Sequence, residues 1–315
     1  MAQAEEMWMS RQTAMRILVT GATGLIGRHL CQSLLDDGHT VIGLSRTPEK
    51  ARGVPVTEMR QWDAMSGPPT TDALAGVDAV IHLAGEPIVA HRWSDEQKRR
   101  IRDSRVVSTR HLVHGLRAMA EKPAVFISSS AVGFYGDRGD ELLDEQSPVG
   151  RGFLPEVCRA WEQEAEPVTA AGIRLVLLRT GVVLSRAGGA LEKMMTPFKL
   201  GLGGKLGNGR QWFPWIHMND IVGIYRYALA DESIKGPVNG TAPAPVTNAE
   251  FTRQFAEALH RPAFVAVPEF GLRVTMGEMA AVLLSSQRVL PNAVIAAGYR
   301  FRFATLAAAL ADLLG

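Results

Sequence analysis

The sequence predicts an α/β fold, a doubly wound parallel sheet with a smaller C-terminal lobe, and three features predict it. Short apolar runs alternate with amphipathic stretches from Arg16 to Arg179, the pattern of strands covered on both faces by crossover helices. A glycine-spaced turn, Gly21-Ala-Thr-Gly24-Leu-Ile-Gly27, separates the first run from the first helical stretch. Beyond Arg179 the texture changes to glycine-rich and aromatic segments that keep neither period.

Taken in order, Arg16 leads into Ile17-Leu-Val-Thr20, a short apolar run that fits a buried parallel strand. The next helix runs from Arg28 to Asp37, with Leu30, Cys31, Leu34 and Leu35 on one face and Gly38 as its stop. Thr40–Leu44 is a second strand and Asp78–Leu83 a third. Ser94-Asp-Glu-Gln97 has capping-box spacing, with Gln97 reaching back, and opens a helix to about Ala120. Ala124–Ser128 is a strand, Glu156–Ala171 a helix ended by Gly172, and Ile173–Arg179 another strand. After it, 201–209 is too glycine-rich to be a core element, and Trp212, Phe213 and Trp215 cluster around Pro214. Ile221–Ala230, Asn248–His260 and Ala304–Leu313 are helices, with Pro243 and Pro245 marking a loop.

Composition narrows the function. Hydrophobic residues make up 46% of the 315 and charged residues 21%, enough to bury a core without disulfides or structural metal. Lys plus Arg is 34 and Asp plus Glu 32, a net charge of +2, so no basic field recruits nucleic acid. Cys31 and Cys158 have neither framework nor ligand spacing and suit a reducing compartment. His82, His91 and His217 are scattered, so no metal site is expected. The apolar stretch Phe303–Leu314 contains Asp312 and is too short to cross a bilayer. Residues 1–14 lack an apolar h-region. The expectation is a cytoplasmic protein with no membrane partner.

The glycine turn carries the first chemistry. Gly21 and Gly24 let the backbone approach a pyrophosphate, Gly27 lets helix and strand close up, and the helix start offers free N–H groups. The end of the second strand then selects the dinucleotide. An NAD site places Asp or Glu there, whereas this strand ends Gly43-Leu-Ser45-Arg46, with Glu49 the first acid. Arg46 can pair with a 2′-phosphate and Ser45 can add a hydroxyl, which favours NADP over NAD. The plain alternatives are a tight turn and a solvated arginine.

Together with His82-Leu-Ala-Gly85 and Ser128-Ser-Ser-Ala-Val-Gly-Phe-Tyr-Gly136, these motifs resemble the extended short-chain dehydrogenase/reductase superfamily. More narrowly, the chain is similar to its atypical branch called the epimerase family, which has human and bacterial members. That likeness rests on Leu83-Ala-Gly-Glu86, Ser104-Arg105, Trp161-Glu162, Gly203 to His217, Arg288-Val-Leu-Pro291 and Ala297-Gly-Tyr299, and covers Met15 to Leu314. It implies a Rossmann-like NADP-binding core over 15–180, with 211–240 returning to it. The remainder, 181–315, would be mainly a substrate lobe and family-type C-terminal domain, and 1–14 an N-terminal extension. Position by position, it implies cofactor contacts at Gly21, Thr23, Gly24, Leu25, Ile26, Gly27, Ser45, Arg46, Leu83, Ala84 and Gly85. Glu86 and Arg105 join them, each with the alternative of a solvated side chain.

The catalytic match fails. Hydride transfer in the superfamily leans on a serine, a tyrosine and a lysine. The serine run survives as Ser128, Ser129 and Ser130, but aligning the helix on Glu162 puts Leu154 at the tyrosine position and Cys158 at the lysine position. Ser129, Ser130 and Tyr135 are the candidate catalytic residues, with Tyr135 also a candidate for simple packing. Trp212, Phe213, Trp215 and His217 could line a substrate cleft or fill the lobe, and Arg179 and Arg210 are single candidates for reading an anion.

Two functions fit. One is an NADP-dependent oxidoreductase or epimerase with a non-standard proton donor and an unknown small-molecule substrate. The other is a catalytically inactive NADP-binding protein that senses redox state or partners another protein. The charges on 94–120 and 156–171, the two helices a superfamily dimer would use, argue for a monomer or a weak homodimer.

Overall fold

The structure, a computed structural model, describes residues 14–89 and 91–315; the N-terminal extension, apart from Ala14, lies outside them. Seven strands form one sheet: β1 (Arg16–Thr20), β2 (Thr40–Ser45), β3 (Glu58–Gln61), β4 (Ala79–His82), β5 (Val125–Ala131), β6 (Arg174–Thr180) and β7 (Gly236–Gly240). Their spatial order is 7-6-5-4-1-2-3 and every pairing is parallel. The order reverses at β1, so a crevice opens between the ends of β1 and β4.

Among the described residues the α-helices of five or more residues are α1 (Leu25–Asp36), α2 (Asp95–Ala118), α3 (Phe153–Ala165), α4 (Ala190–Lys199), α5 (Met218–Ala230), α6 (Asn248–Ala258), α7 (Glu269–Met276), α8 (Ala280–Leu284), α9 (Asn292–Ala296) and α10 (Leu306–Leu314). Strand alternation divides the core. Ile17, Val19, Ile127, Val176 and Leu178 meet Leu30, Leu34, Ile221 and Tyr225 on α1 and α5. Their neighbours Leu18, Phe126, Leu175 and Leu177 meet Leu112, Val113 and Leu116 on α2. Each such side chain contributes about 1.5–3 kcal/mol by leaving water, which holds the three layers together. A separate lobe core joins Leu184, Leu191, Phe198, Trp215, Phe251, Phe255, Phe303 and Leu310.

Several elements differ from expectation. The first helix begins at Leu25 rather than Arg28, because Gly24 is its N-cap and the glycine turn passes straight into it. Edge strand β3 was not anticipated: its sequence, Glu-Met-Arg-Gln, has no apolar run. The helix expected over 156–171 is α3, three residues earlier at its start, followed by a 3₁₀ turn over Glu166–Ala171 that opens on Pro167. Ser94 caps α2 by accepting from the Gln97 N–H, but the Ser94 N–H goes to the Arg92 carbonyl, so only half of the capping box forms. α5 begins at Met218, capped by His217.

The glycine tract over 201–209 is packed, not loose. A β-carbon at Gly204 would lie 1.2 Å from the Val265 carbonyl oxygen, and one at Gly203 would lie 2.4 Å from the Phe198 ring. Among the described residues, no helix is long and apolar enough to cross a membrane.

Candidate functional site

The C-terminal edge of the sheet brings the expected residues into a row. Ser45 ends β2 and Arg46 follows it, the glycine turn follows β1, Leu83 to Glu86 follow β4, and Ser129 lies near the C-terminal end of strand β5. Since the strands stand in the order 2-1-4-5, the row spans three strand spacings, roughly 15 Å. It is open to solvent: Thr23, Gly24, Arg46 and Gly85 are exposed, and Leu25, Ile26, Ser45, Leu83, Ala84, Glu86 and Ser129 are half-buried.

At the turn, Gly21 has φ +69°, and a β-carbon there would lie 2.7 Å from the Leu83 carbonyl carbon. Gly27 is equally constrained, since its β-carbon would lie 2.2 Å from the Gly21 oxygen. Gly24 caps α1 without a side-chain acceptor, and the first turn holds no acid. The leading N–H groups of α1 are thus left for an anion, and the residues present fit a dinucleotide pyrophosphate.

A buried hub joins β1 to β4. The Thr20 hydroxyl accepts from the Leu83 and Ala84 N–H groups, each at 3.2 Å, and lies 2.6 Å from His82 Nδ1. With both N–H groups pointing at it, Thr20 donates to Nδ1, which leaves His82 Nε2–H to donate to Thr109 at 3.0 Å. Full burial pushes the His82 imidazole down to about 3. This hub sets the path of Leu83-Ala84-Gly85, and sequence spacing gave no hint of it.

Arg105 reaches the same edge from α2. It donates to the Ile101 carbonyl at 3.0 Å and lies 5.3 Å over the Trp161 ring. A β-carbon at Gly85 would be 3.2 Å from its guanidinium carbon. Burial pulls its pKa down, and the Cys158 thiol and Glu86 carboxylate oppose that shift. Trp161 Nε1 beside it is buried with no hydrogen-bond partner among the described residues. Glu86 itself is anchored through its N–H, which donates to Ser104 Oγ at 3.0 Å.

The serine strand splits by parity. Ser129 faces α5, its Oγ 2.6 Å from the Tyr225 hydroxyl. Ser130 faces α3 and donates to Glu162 at 2.6 Å. Glu162 in turn accepts two 2.9 Å bonds from Arg179, a buried bidentate pair. Burial pulls the Arg179 guanidinium down, but Glu162 outweighs it and holds the charge.

Tyr135 closes this network. Fully buried, its hydroxyl donates to Asn239 at 2.7 Å and accepts from Arg179 at 3.0 Å, and burial pushes the phenol up to about 12. The phenol sits in the packed, doubly bonded environment of a structural residue. Leu154 and Cys158 face Gly133, beyond the serines, and burial pushes the Cys158 thiol up to about 12. Neither position supplies a proton near neutrality.

The remaining candidates are placed elsewhere. Arg179 is held by Glu162 and reads no external anion, while Arg210 is exposed. Glu162, counted among the charges of a dimer face, points inward. His217 accepts from the Asn219 N–H at 3.0 Å and packs on Phe303 at 3.9 Å. Phe213 and Trp215 belong to the lobe core, and Trp212 donates to Asp140 at 2.9 Å beneath Arg288. Among the described residues, no group of His, Cys, Asp and Glu side chains is arranged to hold a metal ion.

Comparison with known proteins shows what the chain is similar to. Residues 17–239 match the NAD dependent epimerase/dehydratase family, and residues 267–313 match a domain of unknown function, DUF1731. An epimerase family protein of Mycobacterium tuberculosis is 42% identical over 296 residues, covering 93% of this chain and 96% of the relative. The crystal structure of human epimerase family protein SDR39U1 with NADPH superposes with a TM-score of 0.86 at 37% identity, over 95% of this chain and 99% of that one. A nucleoside-diphosphate sugar epimerase structure from Corynebacterium glutamicum gives a TM-score of 0.80 at 38% identity, over 99% of this chain and 62% of that one. UDP-glucuronic acid 4-epimerase of Bacillus cereus, at 18% identity and a TM-score of 0.74, shares the fold.

Proposed function

The chain belongs to the NAD dependent epimerase/dehydratase family, and from that premise we propose that it is an NADP(H)-binding, oxidoreductase- or epimerase-like protein of the extended short-chain dehydrogenase/reductase type. It works without the usual Tyr-x-x-x-Lys pair. The observation that carries this is the ordered row at the sheet edge, which runs from an acid-free β2 end, across a helix start with no side-chain cap, to a hydroxyl on β5. The human relative solved with NADPH supports the choice of dinucleotide.

Each residue has a role in holding the cofactor. Gly21, Thr23, Gly24, Leu25, Ile26 and Gly27 present α1's N–H groups to the pyrophosphate, and Ser45 with Arg46 takes the 2′-phosphate. Leu83, Ala84 and Gly85, fixed by the Thr20–His82 hub, form the wall beside the central ribose. Arg105 brings a cation from α2 close to Cys158, where the family lysine is absent, and Glu86 lies next to it. Bound there, the nicotinamide supplies or accepts a hydride. Ser129, half-buried and bonded to the Tyr225 hydroxyl, is the more accessible hydroxyl at this end of the row, while Ser130 is buried and bonded to Glu162.

A second function, an NADP sensor without turnover, is favoured by one observation: Leu154 and Cys158 stand where the proton-exchanging pair would be. Titrating NADPH and NADH into the protein, with nicotinamide fluorescence as readout, tests what both functions share. NADPH is expected to bind more tightly, and Arg46→Ala to weaken it about tenfold with little effect on NADH. Failure of both nucleotides to bind would refute the assignment. If NADPH binds, slow cofactor turnover across a panel of sugar and carbonyl substrates, lost in Arg105→Leu, separates enzyme from sensor.

A further inference from the structure

Arg28 lies in the first turn of α1, one residue past the glycine turn, and is exposed. Its Nε donates to the Thr23 carbonyl at 3.1 Å and its Nη1 to the Gly53 carbonyl at 3.3 Å. Thr23 belongs to the turn beside the pyrophosphate. Gly53 ends the loop that Arg46 begins. Inside that loop the Thr47 N–H donates to Ser45 Oγ, a 3₁₀ turn spans Pro48–Lys50 and the Val54 N–H donates to the Ala51 carbonyl, while the Arg28 guanidinium ties the loop to the phosphate turn. One guanidinium therefore staples the two loops that flank the adenosine end of the row. Among the described residues, neither Arg28 nor Arg46 has a carboxylate at ion-pair distance. Arg46 does act on the Asp63 carboxylate, whose pKa is lowered by hydrogen bonds from Ser66 and Met65 and, to a lesser degree, by Arg46.

We infer that Arg28 is a positioning residue for recognition of the ribose 2′-phosphate: by clamping the 46–53 loop onto the phosphate turn, it holds Arg46 where a phosphate dianion meets it. This rests on the NADP assignment above. It also explains an arginine at an exposed helix position whose hydrogen bonds go to carbonyls rather than to a neighbouring acid.

A double-mutant cycle tests it. Arg28→Met keeps the stem and the helix propensity but removes both bonds. NADPH and NADH affinities are measured for wild type, Arg28→Met, Arg46→Ala and the double variant, with circular dichroism as a check on folding. The inference expects Arg28→Met to weaken NADPH about tenfold in the wild-type background and less than about twofold when Arg46 is already gone, with NADH weakened by no more than about twofold throughout. Arg28→Lys, which reaches one carbonyl at a time, should fall between. Equal losses for NADPH and NADH, an equal loss with and without Arg46, or no loss would each overturn it. A wild-type protein that does not prefer NADPH would sink the NADP assignment itself, and this inference with it.

Discussion

Replacing Glu162 by Gln removes one charge from the buried pair with Arg179 while keeping the shape of the side chain. Arg179 and Glu162 are 3% and 6% exposed, so water cannot take over the lost partner. One of the two 2.9 Å bonds would become a contact between two donors. Breaking such a pair from one side costs about 3–5 kcal/mol, because the remaining cation is left buried and uncompensated. At the usual unfolding entropy per residue, a chain of this length loses roughly 6 °C of melting temperature for about 4 kcal/mol. Guanidinium unfolding followed by tryptophan fluorescence would read the loss directly. The double variant Glu162→Leu with Arg179→Met removes both charges and should recover part of it. A Glu162→Gln protein within about 1 °C of wild type, or a double variant worse than either single one, would refute the view that this pair organises the region beneath the serines.

Three further outcomes are expected. His82 stays neutral in the fold, at about 3 against an ordinary 6.5, so below pH 6.5 the unfolded chain takes up a proton that the fold does not. Stability should then fall with pH, by about 2 kcal/mol at pH 5, in unfolding curves that His82→Asn flattens. Tyr135→Phe should cost about 1–3 kcal/mol, by leaving Asn239 and Arg179 each short of a bond, with NADPH binding unchanged; loss of turnover without loss of stability would instead restore Tyr135 as a proton donor. Gly21→Ala, strained at φ +69° and pressed against the Leu83 carbonyl, should weaken NADPH by more than about tenfold in the same fluorescence titration.

What the sequence made legible was whatever a short stretch of chain determines by itself. The apolar runs of β1, β2, β4, β5 and β6 and the Ser94 cap are of this kind, and so is the glycine turn. β3 and β7 were not legible as strands, because Glu-Met-Arg-Gln and Gly-Pro-Val-Asn-Gly become strands only by pairing with neighbours already in place. The packing of Gly204 on Val265 was equally hidden, since glycine spells flexibility until the partner backbone is known. At the site, the row of cofactor candidates followed from motif positions, whereas the inward turn of Ser130 and Tyr135 depends on Glu162, Asn239 and Arg179, which are 32, 104 and 44 residues from their partners. Strand parity, known once β5 is placed, was the one signal that could have separated Ser129 from Ser130 in advance.

The cation that Arg105 brings beside Cys158 also constrains the protein's history and its redesign. Writing Tyr at 154 and Lys at 158 would rebuild the superfamily pair on paper, but the new ammonium would arise near a desolvated guanidinium that already interacts with residue 158. Two cations confined together repel and depress each other's protonation. The changes are therefore epistatic: the lysine becomes tolerable only after Arg105 has gone, and losing Arg105 first leaves Cys158 with only the Glu162-paired Arg179 as a nearby cation. A lineage that crossed to this arrangement would find the way back blocked at either first step, and any redesign toward the standard chemistry has to exchange the α2 and α3 residues together.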